Sequence, residues 1–367
     1  MNRLKSATAL GGLVLAAAGA LPAFAQDQAL IDAAKAEGTV TTIALPHDWC
    51  NYGGVIEGFK AKFGLDVNEL DPDAGSADEL EAIRANKGNT GPQAPDVVDI
   101  GYSFGPAAQK EGLLQPYKVS TWDTIPDDVK DPDGNWYADY YGVMSFMVNK
   151  DLVPESPTDW ADLLKPDYAG SVALSGDPKA SNQAISAVHA AGLSTGAEPG
   201  MAAAEAGRKV FADLHMEGNF VPDTGKAGTL AQGATPIVIY WDYNALTARD
   251  TLQGNPPVDV VVPKTGAVAG IYVQGISAFA PHPNAAKLWM EYLYSDEGQL
   301  KWLEGYCHPI RFNDLAARGV IPQALLDKLP PADAYETAIF PTLEQQDASA
   351  AEIKGNWDGV VGVTVPN

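Results

Sequence analysis

The sequence is poor in basic residues and in cysteine, and beyond its first segment it lacks long apolar runs. It has 367 residues, with 24 Lys and Arg against 47 Asp and Glu, a formal charge of −23 at pH 7. Phosphate recognition needs clustered Lys and Arg, so this balance excludes a nucleic-acid partner and opposes docking on anionic lipid. Two cysteines exclude a disulfide-rich scaffold and a four-thiolate zinc site. No nucleophile elbow, zinc helix, phosphate-binding loop or dinucleotide fingerprint is present, so no cofactor is expected and catalysis has no motif to rest on. The five histidines are scattered. His189 falls on an apolar helix, as a core histidine would, and His47 and His308 neighbour cysteines without zinc spacing. Asp131-Pro132-Asp133-Gly134-Asn135 has no calcium-ligand ladder or terminal Glu and reads as a turn.

What is present begins with an address. Met1 to Ala25 has Arg3 and Lys5 at its start, an apolar stretch from Ala7 to Leu21, and Ala23-Phe24-Ala25 at the end. That is the pattern of a secretory signal. The apolar stretch is shorter than the ~20 residues a spanning helix needs. A soluble, exported chain starting near Gln26 is expected. In an oxidising compartment Cys50 and Cys307 are either one long-range bridge or two buried thiols.

Strand and helix signals then alternate. Thr39–Leu45, Val67–Leu70 and Asp96–Ile100 read as strands, separated by helices at Val55–Phe63 and Ala77–Lys87. Ser76 and Glu79 form the N-cap and capping-box pair of the second helix. Further strands are expected at Gly142–Asn149, Ser171–Ser175, Thr235–Trp241, Val258–Val262 and Gly270–Ala278. Helices are expected at Gln183–Ala191, Ala202–Leu214, Asn284–Ser295 and Glu297–Tyr306. This order implies an α/β protein of two lobes, each a mostly parallel sheet flanked by helices, with a hinge. Lobe 1 is expected over 38–141 and 271–320, lobe 2 over 142–270, and a C-terminal helical tail over 321–367.

Aromatic and polar side chains cluster at the expected strand ends. Trp49 and Tyr52 follow the first strand, and Tyr102 and Ser103 follow Ile100. Asp177 follows Ser175, and Ser181 and Asn182 open the next helix. Trp241 and Asp242 end the strongest strand, and Tyr272 and Gln274 lie on the strand that crosses back. Aromatic faces attract ammonium groups and carboxylates bind them by charge-assisted hydrogen bonds.

Several segments resemble the bacterial extracellular solute-binding proteins of ABC importers, within them the spermidine/putrescine-binding branch. They are Asp159-Trp160-Ala161-Asp162-Leu163-Leu164-Lys165-Pro166-Asp167-Tyr168-Ala169-Gly170, Val258 to Gly266, Asn313 to Ala317 and Lys110 to Leu114. The resemblance implies a type II-like periplasmic-binding fold, a monomer, and delivery of a small solute to a membrane permease with its ATPase. It also implies that Trp49, Tyr52 and Trp241 form an aromatic box, with Asp177 and Asp242 taking the amine. Ser103, Tyr272 and Gln274 add polar contacts. Two family carboxylates are replaced, by Ala180 and Gln274, and each missing charge partner weakens the case for a multiply charged polyamine. The ligand readings are therefore an amine (diamine, polyamine or quaternary ammonium) or a zwitterionic aminoalkylphosphonate held partly by Ser181 and Asn182. Ferric iron on Tyr140-Tyr141, or an exported enzyme using Asp177 or Asp242, are further alternatives.

Overall fold

The computed structural model describes residues 28–329 and 337–366. The expected signal, Met1 to Ala25, lies outside the described residues. Among those described, no helix is long and apolar enough to cross a membrane.

The chain opens with α1 (Gln28–Glu37), β1 (Thr39–Ile43), α2 (Tyr52–Phe63), β2 (Asp66–Leu70) and α3 (Ser76–Ala85). β3 (Val97–Gly101), α4 (Phe104–Lys110) and β4 (Leu114–Gln115) follow, then the 13-residue β5 (Tyr137–Asn149). β6 (Val172–Leu174), α5 (Asn182–Leu193), α6 (Met201–Met216) and α7 (Ala227–Ala231) lead to β7 (Ile237–Trp241) and α8 (Asp242–Leu252). The return runs through β8 (Val258–Val261), β9 (Ala269–Ser277), α9 (Pro283–Leu293), α10 (Asp296–Glu304) and β10 (His308–Pro309). α11 (Phe312–Ala317), α12 (Gln323–Leu326) and α13 (Leu343–Val361) complete it. α13 packs on α6 and α5, burying Trp357 against Phe211 and Phe220.

The alternation of elements produces the expected two-lobed α/β protein, but the sheets are not mostly parallel. Among the described strands, β1–β2 and β6–β7 pair in parallel, and the other pairings are antiparallel. The reason is β5. It was expected to begin at Gly142, but it begins at Tyr137 and runs through both halves of the molecule. Tyr137–Val143 pairs with β9, and Met144–Val148 then pairs with β7. β9 runs antiparallel to the first part of β5, and β7 and β8 run antiparallel to its second, so both halves acquire antiparallel neighbours.

The two through-strands meet at Gly142 and Gly270, which face each other in register. A Cβ on Gly142 would lie 2.3 Å from the Tyr243 ring, and one on Gly270 would lie 2.1 Å from the Trp241 ring. Glycine here makes room for two large side chains packed on the backbone. Cys50 and Cys307 form a disulfide with a Cα–Cα distance of 5.4 Å, stitching the turn before α2 to the start of β10. His189 is a core residue, as expected: its Nε2 accepts from the Gly200 amide, and burial lowers its pKa to about 4. Asp131 accepts from Asn135 twice and from Gln109, which makes the acidic segment a turn.

Candidate ligand-binding cleft

A cavity of about 460 Å³ lies between the two halves. One wall comes from the loop after β1, the loop after β2, the start of α3, and Asp99 on β3. The other comes from the loop after β6, the start of α5, the residues around Lys226, and Tyr240 and Asn244. Tyr272 on β9 also lines it. Strand ends and helix starts converge on such a crevice because α/β connections leave the sheet at its edge.

The charges divide by wall. Asp48, Asp73, Asp78, Glu79 and Asp99 line the cleft, all from the segment before β4. The opposite wall contributes no carboxylate among its lining residues, and one cation, Lys226. Lys226 Nζ stands 3.5 Å from Asp73 Oδ1 across the mouth. Asp48, Asp73 and Asp78 are exposed at the rim, whereas Glu79 and Asp99 are buried at the floor.

Asp99 is held from behind. Its Oδ2 accepts from the Tyr140 hydroxyl at 2.6 Å and from the Tyr52 hydroxyl at 2.8 Å. Trp49 Nε1 donates to the Tyr140 oxygen at 2.7 Å, and Gln274 Nε2 donates to the Tyr52 oxygen at 2.8 Å and to Asp139 at 2.9 Å. The Asp99 amide donates to Glu79 Oε2. Asp99 Oδ1 is buried without a partner. Burial pushes the Asp99 carboxyl up to about 7, against the opposing pull of the two phenol hydrogen bonds. Burial, and then the nearby charge of Asp99, hold both Glu79 and Asp139 well above the ordinary carboxylate range. Three desolvated acids with no basic side chain hydrogen-bonded to any of them are costly in isolation. Burial therefore favours their neutral forms, and ionising any of them calls for a compensating partner.

The expected site residues separate into two groups. Trp49, Ser181 and Tyr272 line the cleft. Trp49 meets Tyr272 and Tyr243 edge-on, at centroid distances of 5.5 and 5.4 Å. The other six do not line it. Tyr52 and Gln274 are buried behind Asp99 and orient it. Trp241 is fully buried against Gly270, so it is strand packing and not part of an aromatic box. Asp242 is fully buried and accepts from the Val143 amide at 2.8 Å, because it opens α8 and turns inward. Asp177 caps its own turn, accepting from the Lys179 amide. Ser103 faces a different cavity, between α4, α5 and α13.

The residues missed are as informative. Glu79 reads as a capping-box partner, yet the cap of α3 is Gly75, and Asp78 accepts the Gly75 amide. Ser76 Oγ accepts from the Gly101 amide. Asp99 reads as part of a buried strand; an acid in such a strand was itself the available signal. Tyr140 is committed to Asp99 and Trp49, and Tyr141 stacks on His308, so the adjacent tyrosines do not act as a pair. Among the described residues no cluster of three or more His, Cys, Asp or Glu is arranged to hold a metal.

Comparison with known proteins agrees with this architecture. Residues 93–329 match the model of the bacterial extracellular solute-binding protein family. The chain belongs to that family. It is 26% identical over 328 residues to the spermidine/putrescine-binding periplasmic protein of Escherichia coli K12, covering 86% of each chain. It is 26% identical over 281 residues to a Salmonella typhimurium protein described as binding 2-aminoethylphosphonate in the periplasm, covering 72% of this chain and 77% of that one. The structure of the periplasmic binding protein AfuA from Actinobacillus pleuropneumoniae superposes with a TM-score of 0.66, at 24% identity, over 88% of this chain and 98% of that one. This solute-binding protein therefore shares its fold with members whose guests differ widely.

Proposed function

We propose that this solute-binding protein is exported to the periplasm and serves an ABC importer, capturing a small amine-bearing solute in the cleft and presenting it to the membrane permease. The lobe boundaries fall near Gly142 and Gly270, where β5 and β9 cross between the halves. The observation that carries the ligand reading is Asp99. One of its oxygens is fixed by two phenols, while the other is desolvated and unpartnered at the floor of the cleft. An ammonium group supplies the missing donors and the compensating charge, and Trp49 and Tyr272 give it aromatic walls. Glu79 adds a second carboxylate. The relatives named for spermidine/putrescine and for 2-aminoethylphosphonate are both named for amine-bearing solutes, which supports the same reading.

Titration calorimetry on the purified mature chain tests it. Saturable binding of putrescine, spermidine, choline or 2-aminoethylphosphonate, with no binding of their amine-free analogues, is the expected outcome. A guest that is wholly anionic, or a bare ferric ion, would overturn it.

A further inference from the structure

The cleft is polar in a second sense that an amine alone does not use. The wall facing the acids is built from hydrogen-bond donors. α5 has 12 residues and begins at Asn182. The amides of Asn182 and Gln183 have no carbonyl acceptor within the helix, and the helix dipole adds positive potential at its first turn. Two buried side chains on the same wall also lack partners: Gln183 Nε2, on a residue 5% exposed, and Asn244 Nδ2, on a residue 7% exposed. Both residues line the cleft, and Lys226 is the cation among its lining residues. Unpartnered buried donors are costly too, and they call for an acceptor.

Resting on the amine reading above, we infer that the solute is a short zwitterion, its ammonium on Asp99 and Glu79 and its anionic end on the start of α5, Gln183, Asn244 and Lys226. The length follows from β3. A Cβ on Gly101 would lie 2.7 Å from the Asn182 side chain, so the end of β3 touches the start of α5. Asp99 is two residues back on the same face of that strand, about 7 Å away. A spacer of a few carbons bridges these two ends, whereas a long polyamine would bring a second ammonium against the donor wall.

The test uses the full mature chain in calorimetry with four probes: 2-aminoethylphosphonate, 4-aminobutyrate, putrescine and ethylphosphonate. At least one of the two zwitterions should bind 30-fold or more tighter than both putrescine and ethylphosphonate. The better of the two distinguishes a phosphonate from a carboxylate end. Lys226→Ala and Gln183→Leu should each weaken that zwitterion about tenfold or more without weakening putrescine. Asp99→Asn should weaken every amine. Lys226 is exposed, so its variant reports even where Gln183→Leu fails to fold. Putrescine binding tighter than either zwitterion, with Lys226→Ala leaving the affinity for both zwitterions unchanged or improved, would overturn the zwitterion and leave the amine reading standing. Tightest binding by ethylphosphonate would remove both, and binding of none of the four would remove the zwitterion.

Discussion

Asp99 joins the energetics of the empty protein to its binding chemistry. Its carboxyl titrates near 7 in the folded chain, against about 4 in an unfolded one. Between those values the native state holds more protons than the unfolded state, so stability without ligand falls as pH rises through this range. Glu79, also raised, acts in the same direction. The unliganded protein should resist denaturant better at pH 6 than at pH 8, and Asp99→Asn should flatten that slope. Amine binding runs the other way, because it needs the ionised form. Affinity should rise from pH 5.5 to 7.5 and then level. Calorimetry at pH 6 in buffers of different ionisation enthalpy should record proton release on binding. At pH 8, Asp99→Asn should weaken an amine by about 3 kcal/mol, roughly 150-fold, without lowering the unliganded melting temperature. At this scale the sequence reading was uneven for a physical reason. Trp49, Ser181 and Tyr272, which the sequence singles out, line the cleft, the first two from the connections that leave β1 and β6. Asp99 and Glu79 were missed because a buried acid in a strand and a Ser-x-x-Glu run both have ordinary structural explanations.

Elements were more legible than their partners. β1, β2, β3, β6 and β7, and helices α2, α3, α5 and α6, fall where apolar spacing places them, to within a few residues. What spacing does not encode is which strand lies beside which. β5 is expected from Gly142 because Tyr137–Tyr141 carries an acid and three polar phenols, yet the first four of those residues are buried, the strand pairing with β9 and β10. The same ambiguity hid α8, whose first residues, Asp242 and Tyr243, extend the apolar run of β7 into a helix. The Gly142–Gly270 crossing allows a direct check. Gly270→Ala should force Trp241 or the backbone to move and cost about 1–3 kcal/mol. A lowered urea midpoint with an unchanged slope should report it, and an unaltered midpoint would mean that the crossing tolerates a side chain.

The whole molecule is tied together by contacts that span most of its length. The disulfide joins residues separated by 257 positions, and both sulfurs are buried. Cys50→Ser combined with Cys307→Ser should destabilise the fold by about 2–5 kcal/mol in denaturant titration. It should also weaken ligand binding, since Trp49 is the neighbour of Cys50. The two-lobed plan was readable from the alternation of strands and helices, and the resemblance to solute-binding proteins reinforced it. The acidic wall was not, because the acids chosen from the sequence, Asp177 and Asp242, are absent from the residues that line the cleft.

The paired through-strands carry one more consequence. β5 is hydrogen-bonded to β9 in one half and to β7 and β8 in the other, so parting the halves means flexing a strand that belongs to the fabric on both sides. Such a joint should bend as a leaf spring does, along an axis set by the pleat rather than by free swivelling.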